Sequence, residues 1–312
     1  MRAKCSAVKG YFSRMHGYFA EMFPIPGHLA AAALAALGIA GFIRRLQGVN
    51  QAMAPVPLAS ATWNIFAILL LLRLMDELKD KDVDQQLFPE RPLPSGRVFE
   101  SDIWLSIGAI VALYMVPNLR ALWLAASALV VLLYSLCMFK RFFAPDLLKS
   151  SLPITLVTHT PIVPLIWLQG FVTVAELSGI SPWDLRWRWI VLFVAMAWLS
   201  IIAWEVSRKI RSREEENEYV TYSRLFGRAG AVALAWGAQT LVLLVGVRVI
   251  LYFDLAPLCL FVLTAAWVVC GWGYVRFLLM PSPRTSKLKP YATLFLFAVL
   301  LAQAYGFSTS GL

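Results

Sequence analysis

The stretch PLASATWNIFAILLLLRLMDELKDKDVD, residues 57–84, joins an apolar run directly to a cluster of carboxylates. A helix rises about 1.5 Å per residue, so the run at 57–75 is long enough to cross a hydrocarbon layer roughly 30 Å thick. The segment from Asp76 onward is too charged to follow it into lipid. The chain therefore leaves a membrane near residue 75, and the carboxylates mark one of its faces. Eight more apolar runs centre near 25–43, 102–119, 121–139, 150–170, 187–204, 229–250, 255–277 and 290–308. The run at 150–170 contains Pro153, Pro161 and Pro164, each lacking a backbone donor, which predicts a kinked or broken span.

Composition excludes a soluble alternative. Hydrophobic residues make up 60% of the 312, charged residues only 15%, and the mean hydropathy is +0.69. A soluble domain of this composition would leave large apolar patches in water. The expected fold is all-α and polytopic, with nine transmembrane helices. No repeat or low-complexity linker divides residues 25–312, which read as one domain. Residues 1–24 precede it as a separate segment, in which Tyr11, Met15, Tyr18 and Met22 recur at helical spacing with Phe12, Phe19 and Phe23 alongside. That pattern predicts an amphipathic helix lying on the membrane interface. The segment has no apolar core or small-residue cleavage site of the kind a signal peptide carries.

Charge sets the orientation. With the N-terminus in the cytosol and nine alternating spans, 22 of the 28 Lys and Arg residues fall on the cytosolic side. That is the bias of the positive-inside rule, and it places the C-terminus on the opposite side. The net charge of +10 is spread between apolar segments, so it points to anionic lipid and away from nucleic acid. Nothing in the sequence points to a protein partner. Cys5, Cys137, Cys259 and Cys270 form no metal-binding spacing and no disulfide framework.

The chemistry lies on the cytosolic side. Asp76, Glu77, Asp80 and Asp84 follow the spacing DExxDxxxD, which keeps them within an arc of roughly 100° on a helix. Asp82 points elsewhere. Carboxylates crowded on one face repel each other unless a cation sits among them. Oxygen donors suit Mg²⁺, which commonly bridges carboxylates and substrate phosphates. The turn RPLPSGRV at 91–98 adds Arg91 and Arg97, cationic donors able to reach the same phosphate. After the fourth span comes Tyr134 and then the pair Lys140-Arg141, either interfacial anchors or a diphosphate clamp. After the sixth, Glu205, Lys209 and Arg213 are spaced four apart with Arg208 beside them. Glu214, Glu215, Glu216 and Glu218 read as a solvated acidic stretch.

These motifs resemble the UbiA-type superfamily of intramembrane prenyltransferases, whose first motif is NDxxDxxxD followed by an RPxxxG turn. Here Asp76 stands at the Asn position and Glu77 at the first Asp position, while Asp80 and Asp84 match outright. Tyr134 with Lys140-Arg141 matches the family's Y…KR element, and the order of spans agrees along nearly the whole chain. The second family motif, usually DxxxD, is altered, with only Glu205 keeping a carboxylate in register. The resemblance implies a central cavity open to lipid and an Mg²⁺-dependent reaction of a prenyl diphosphate. It implies that Asp76, Glu77, Asp80, Asp84 and Glu205 hold Mg²⁺. It also implies that Arg73, Arg91, Lys140, Arg141, Arg208 and Lys209 grip the diphosphate, with Asp80, Asp84, Lys140 and Arg141 central to catalysis. Trp63, Tyr114 and Trp198 are candidates to shield an allylic cation. Thr155, Thr158 and His159 form a polar patch at the broken span, suited either to an acceptor or to the broken backbone itself. Three functions fit the pattern: transfer of the prenyl group to an acceptor, cyclisation of the prenyl chain, or transport. Ionisable residues at helix ends, and not at the membrane midplane, argue against transport.

Overall fold

A computed structural model describes residues 2–48, 54–216 and 220–309, so Glu218 lies outside the described residues. The helices are α1 (Arg2–Met22), α2 (Ile25–Gln47), α3 (Pro55–Lys79), α4 (Lys81–Leu87), α5 (Glu100–Asn118), α6 (Leu122–Phe139) and α7 (Pro145–Ser150). They continue as α8 (Leu152–His159), α9 (Ile162–Leu177), α10 (Trp187–Ser207), α11 (Tyr222–Phe253), α12 (Pro257–Leu279) and α13 (Lys289–Thr309). Among the described residues nine segments are long and apolar enough to cross a membrane, with α8 and α9 together forming the fifth. This is an integral, multi-pass, all-α protein.

Local chemistry explains the helix boundaries. Proline opens α2, α3 and α12 in the first turn, where a missing N–H costs nothing. Gly48 ends α2 with a left-handed φ of 65°. The fifth span breaks at Thr160-Pro161, where proline cannot donate into the ladder. There the Thr155 and Thr158 hydroxyls bond to the carbonyls of Leu148 and Ile154, each at 2.8 Å. The hydroxyls of the polar patch are thus engaged with backbone carbonyls, and Thr158 also meets His159 Nδ1 at 3.1 Å.

Each span packs on its neighbour in sequence, and α13 closes the ring against α2. The α2–α13 seam is very tight. A Cβ placed on Gly41 would lie 2.8 Å from the Phe307 backbone, and one on Gly38 would lie 3.2 Å from Gln303 Cβ. Small residues of this kind let helices approach closely, and in lipid that packing replaces the hydrophobic effect as the attraction between spans. Away from the acidic end, Phe42, Phe171, Phe193, Phe253 and Phe307 meet with ring centroids 4.8–5.9 Å apart. They come from α2, α9, α10, α11 and α13 and plug the bundle at that end. Beside the plug, Asn64 bonds to Asn118 and to Thr173 at 2.9–3.1 Å, and Tyr114 donates to Gln169 at 2.8 Å. This network occupies Tyr114. Trp63 donates to the Leu113 carbonyl at 3.0 Å, and the Trp198 indole N–H is buried with no partner.

The N-terminal segment does not stand apart from the bundle. Met15 and Tyr18 are buried, and the face they define packs against the spans, while Phe12 is exposed. Arg14 grips Asp102 of α5 through two bonds of 2.7 Å, Tyr11 bonds to Ser106 at 2.8 Å, and Arg97 holds Glu21.

Candidate active site

The first acidic motif sits where α3 ends. Asp80 leaves helical geometry (φ −103°, ψ 10°) and α4 begins one residue later. Three backbone bonds nevertheless bridge the break, from Asp80 to Asp76, Asp84 to Asp80 and Phe88 to Asp84, at 2.8–3.0 Å. The four-residue register expected of DExxDxxxD thus survives an interruption.

Each carboxylate of the motif meets a cation. Glu77 pairs with Arg73, one turn earlier on α3. Asp76 pairs with Lys79 at 2.5 Å, Asp84 with Arg91 at 2.7 Å, and Asp80 with Arg141 at 3.2 Å. Glu77 and Asp84 are buried, whereas Asp76 and Asp80 are half-exposed. Although half its surface meets solvent, the protein around Asp80 desolvates its carboxyl and raises its pKa; Lys79 and Arg141 offset this only in part.

The turn after α4 presents Arg91. Gly96 takes a left-handed φ of 74°, and bonds from Ser95 to Arg91 and from Val98 to Pro92 close the turn. The Arg91 guanidinium lies 4.0 Å above the Phe88 ring while reaching Asp84. Arg97 turns the other way, to Glu21 and the Glu90 carbonyl.

Lys140 and Arg141 part company. Arg141, with Phe142 and Phe143, adopts a left-handed φ of 50–57°, and its guanidinium bonds to the Lys79 carbonyl at 2.9 Å and to Asp80. Lys140 is exposed, with its ammonium 5.4 Å from the Phe139 ring centroid, and forms no ion pair among the described residues. The reversal of the backbone after α6 sends the two cations in different directions.

The altered second motif also differs from its helical reading. The α10 helix ends at Ser207, so Arg213 is not in register with Glu205 and is exposed. Glu205 accepts from Arg208 at 2.5 and 2.8 Å and pairs with Lys209 at 2.9 Å. The following acidic stretch is only partly solvated. Glu214 is exposed, but Glu215 accepts from Ser212 and Ser286, and Glu216 from Thr221 and Ser223. Between the two motifs, His159 lies within electrostatic range of Asp76 and Lys79 on one side and of Glu205 on the other. Its ring meets Phe142 edge-on at 5.7 Å.

The first motif fits a divalent cation in its donor chemistry. Its donors are all oxygens, and one of them, Glu77 Oε2, is buried without a hydrogen-bond partner. No three His, Cys, Asp or Glu side chains among the described residues converge closely enough to enclose a metal. That arrangement suits Mg²⁺ held by one or two carboxylates and completed by phosphate oxygens. The second motif does not fit one. Both Glu205 oxygens are taken by cations, and among the described residues no group of three metal-binding side chains includes it.

Two solved structures share this architecture. One, of digeranylgeranylglyceryl phosphate synthase, matches with a TM-score of 0.65 over 95% of this chain and 99% of that one, at 15% identity. The other, the apo form of a UbiA homologue from Aeropyrum pernix K1, matches with a TM-score of 0.67 over 92% and 99%, also at 15% identity. The fold is that of the UbiA-type intramembrane prenyltransferases. No family model and no curated protein matches the chain by sequence. The likeness is therefore one of architecture, and the UbiA-type fold puts both motifs of this chain at the same end of its bundle.

Proposed function

We propose that this protein is an Mg²⁺-dependent intramembrane prenyltransferase that moves an isoprenoid group from a prenyl diphosphate to an acceptor. One observation carries the reading: on a UbiA-type bundle, every carboxylate of the first motif is matched by a cation, two from α3 itself and two, Arg91 and Arg141, from the loops that follow α4 and α6. One or two of the carboxylates Glu77, Asp80 and Asp84, with Asp76 beside them, would hold the ion together with phosphate oxygens, and when bound it would neutralise charge developing on the leaving diphosphate. Arg73, Arg91 and Arg141 already lie against those carboxylates and would turn to the phosphate oxygens. Arg208 and Lys209 would bind the diphosphate from the opposite side, where Glu205 holds them in place. As the allylic C–O bond breaks, its electron pair stays on the diphosphate oxygen, and these fixed cations stabilise it. Lys140 takes no part. The motifs face the cytosol, as the charge bias of the loops requires.

The test is to incubate purified protein with Mg²⁺ and labelled geranyl, farnesyl and geranylgeranyl diphosphates, with and without membrane extract. A labelled adduct that forms only with extract is the expected result, and its mass identifies the acceptor. A hydrocarbon formed without extract would show cyclisation instead. Asp80→Asn should lower turnover at least about 100-fold, the loss expected when an electrostatic catalytic group is removed. The variant should still insert and melt like the parent. Turnover of the variant at the parent rate in EDTA would overturn the reading.

A further inference from the structure

Three polar atoms at the inner wall of the first motif have no hydrogen-bond partner, although each is buried: Tyr18 Oη, Arg73 Nε and Glu77 Oε2. They belong together. The Tyr18 side chain is fully enclosed, and its hydroxyl lies within electrostatic range of Glu77, Arg73 and Asp76. Arg73 and Glu77 are ion-paired to each other through other atoms, and the tyrosine hydroxyl lies near enough to Arg73 to interact with it while completing no well-formed hydrogen bond to either.

Buried polar groups are rarely left unsatisfied, and a cluster of three beside a ligand site calls for an explanation. Their capacities are complementary. A guanidinium N–H donates, a carboxylate oxygen accepts, and a phenol does both. The Arg73–Glu77 pair must also open before either residue can engage a ligand, because each now neutralises the other. Opening it leaves a buried charge short of a partner, which is costly unless a neighbour fills the gap.

Resting on the diphosphate reading above, we infer that Tyr18 is a positioning residue for that site: its hydroxyl takes the hydrogen bond that Arg73 and Glu77 give up when Mg²⁺ and a diphosphate separate them. The helix that carries it is fixed for the purpose. Bonds from Arg14 to Asp102 and from Tyr11 to Ser106 hold the middle of α1, and the Arg97–Glu21 pair holds its end. Tyr18 lies between these clamps and has little freedom to withdraw. The N-terminal helix is thus a wall of the site as well as a membrane-facing element.

Tyr18→Phe separates this role from packing. The ring is kept, and the lost hydroxyl completes no well-formed hydrogen bond in the ligand-free protein, so the variant should melt close to the parent temperature without ligand. With Mg²⁺ and inorganic pyrophosphate as probe, the concentration giving half the maximal thermal shift should rise about 10-fold, the scale of one charge-assisted hydrogen bond. KM for a prenyl diphosphate should rise in parallel, with kcat changed much less. Arg14→Ala, which loosens α1, should move the same midpoint in the same direction. Equal midpoints for Tyr18→Phe and a parent that does respond to Mg²⁺-pyrophosphate would overturn this inference alone. A parent that shows no shift with Mg²⁺-pyrophosphate would overturn the diphosphate reading and this inference with it.

Discussion

Arg141 reaches the first motif because three successive residues without the freedom of glycine turn left-handed. Such a conformation costs on the order of 1 kcal/mol or more per residue and persists only where contacts repay it. Here the guanidinium caps the free carbonyl of Lys79 and pairs with Asp80, so a single side chain closes α3 and steadies the acid beyond it. Arg141→Ala should therefore lower prenyl diphosphate turnover about 10- to 100-fold, the loss expected for charge-assisted bonds, while Lys140→Ala should change it less than about 2-fold. Steady-state kinetics of the two variants decide the point, and equal losses would contradict the assignment. The sequence offers no means of telling these neighbours apart. Its spacing marks both as cations at a helix end, and only the backbone reversal separates them. DExxDxxxD was legible because its meaning depends on helical register alone. The pairing of Asp84 with Arg91 and of Asp80 with Arg141 depends on how loops fold, and Tyr18 gave no signal beyond its place in an amphipathic stripe.

The loop after α10 and the loop before α13 are joined by one carboxylate. Glu215 accepts from the Ser212 backbone N–H and hydroxyl and from the Ser286 hydroxyl, tying the second motif to the base of the last span. Burial pushes this carboxyl up, but the bonds from Ser286 and Ser212 outweigh it and hold it below the usual range. The folded value being depressed, the stabilisation is complete above the unfolded pKa of about 4.3 and is lost as pH falls through the folded one. Ser286→Ala should therefore lower the melting temperature at pH 7 by a few degrees and narrow the gap between melting at pH 7 and at pH 4. An unchanged gap would mean that the latch contributes nothing. Reading this stretch as a solvated acidic run failed because the partners of Glu215 and Glu216 are serines and threonines, which are common on any surface. The end of α10 at Ser207 was hidden for a similar reason, since no proline or glycine announces it.

Nine spans, their order and the break at Pro161 were all visible in apolar length and proline placement, because lipid forces every spanning backbone group to bond within its own helix. Which spans touch was not visible, and the seam between α2 and α13 is the main instance. Gly41→Leu would drive a side chain into the Phe307 backbone, so the variant should lose about 3 kcal/mol of stability, the upper end of the usual cost of overpacking, and unfold at lower temperature in detergent. Melting like the parent would show that the seam can part without cost. The same seam orders events during synthesis. Of the nine spans α2 is the first to leave the ribosome, yet its closest partner is the last, and the Arg44 guanidinium waits for the carbonyls of Phe307 and Ser308 at the far end of that partner. Until α13 arrives, the small-residue face of α2 lies open to lipid or to whatever escorts nascent helices. Closure of the ring therefore comes late: a chain stopped before residue 289 would hold a bundle whose α2 seam lacks the partner that fills it.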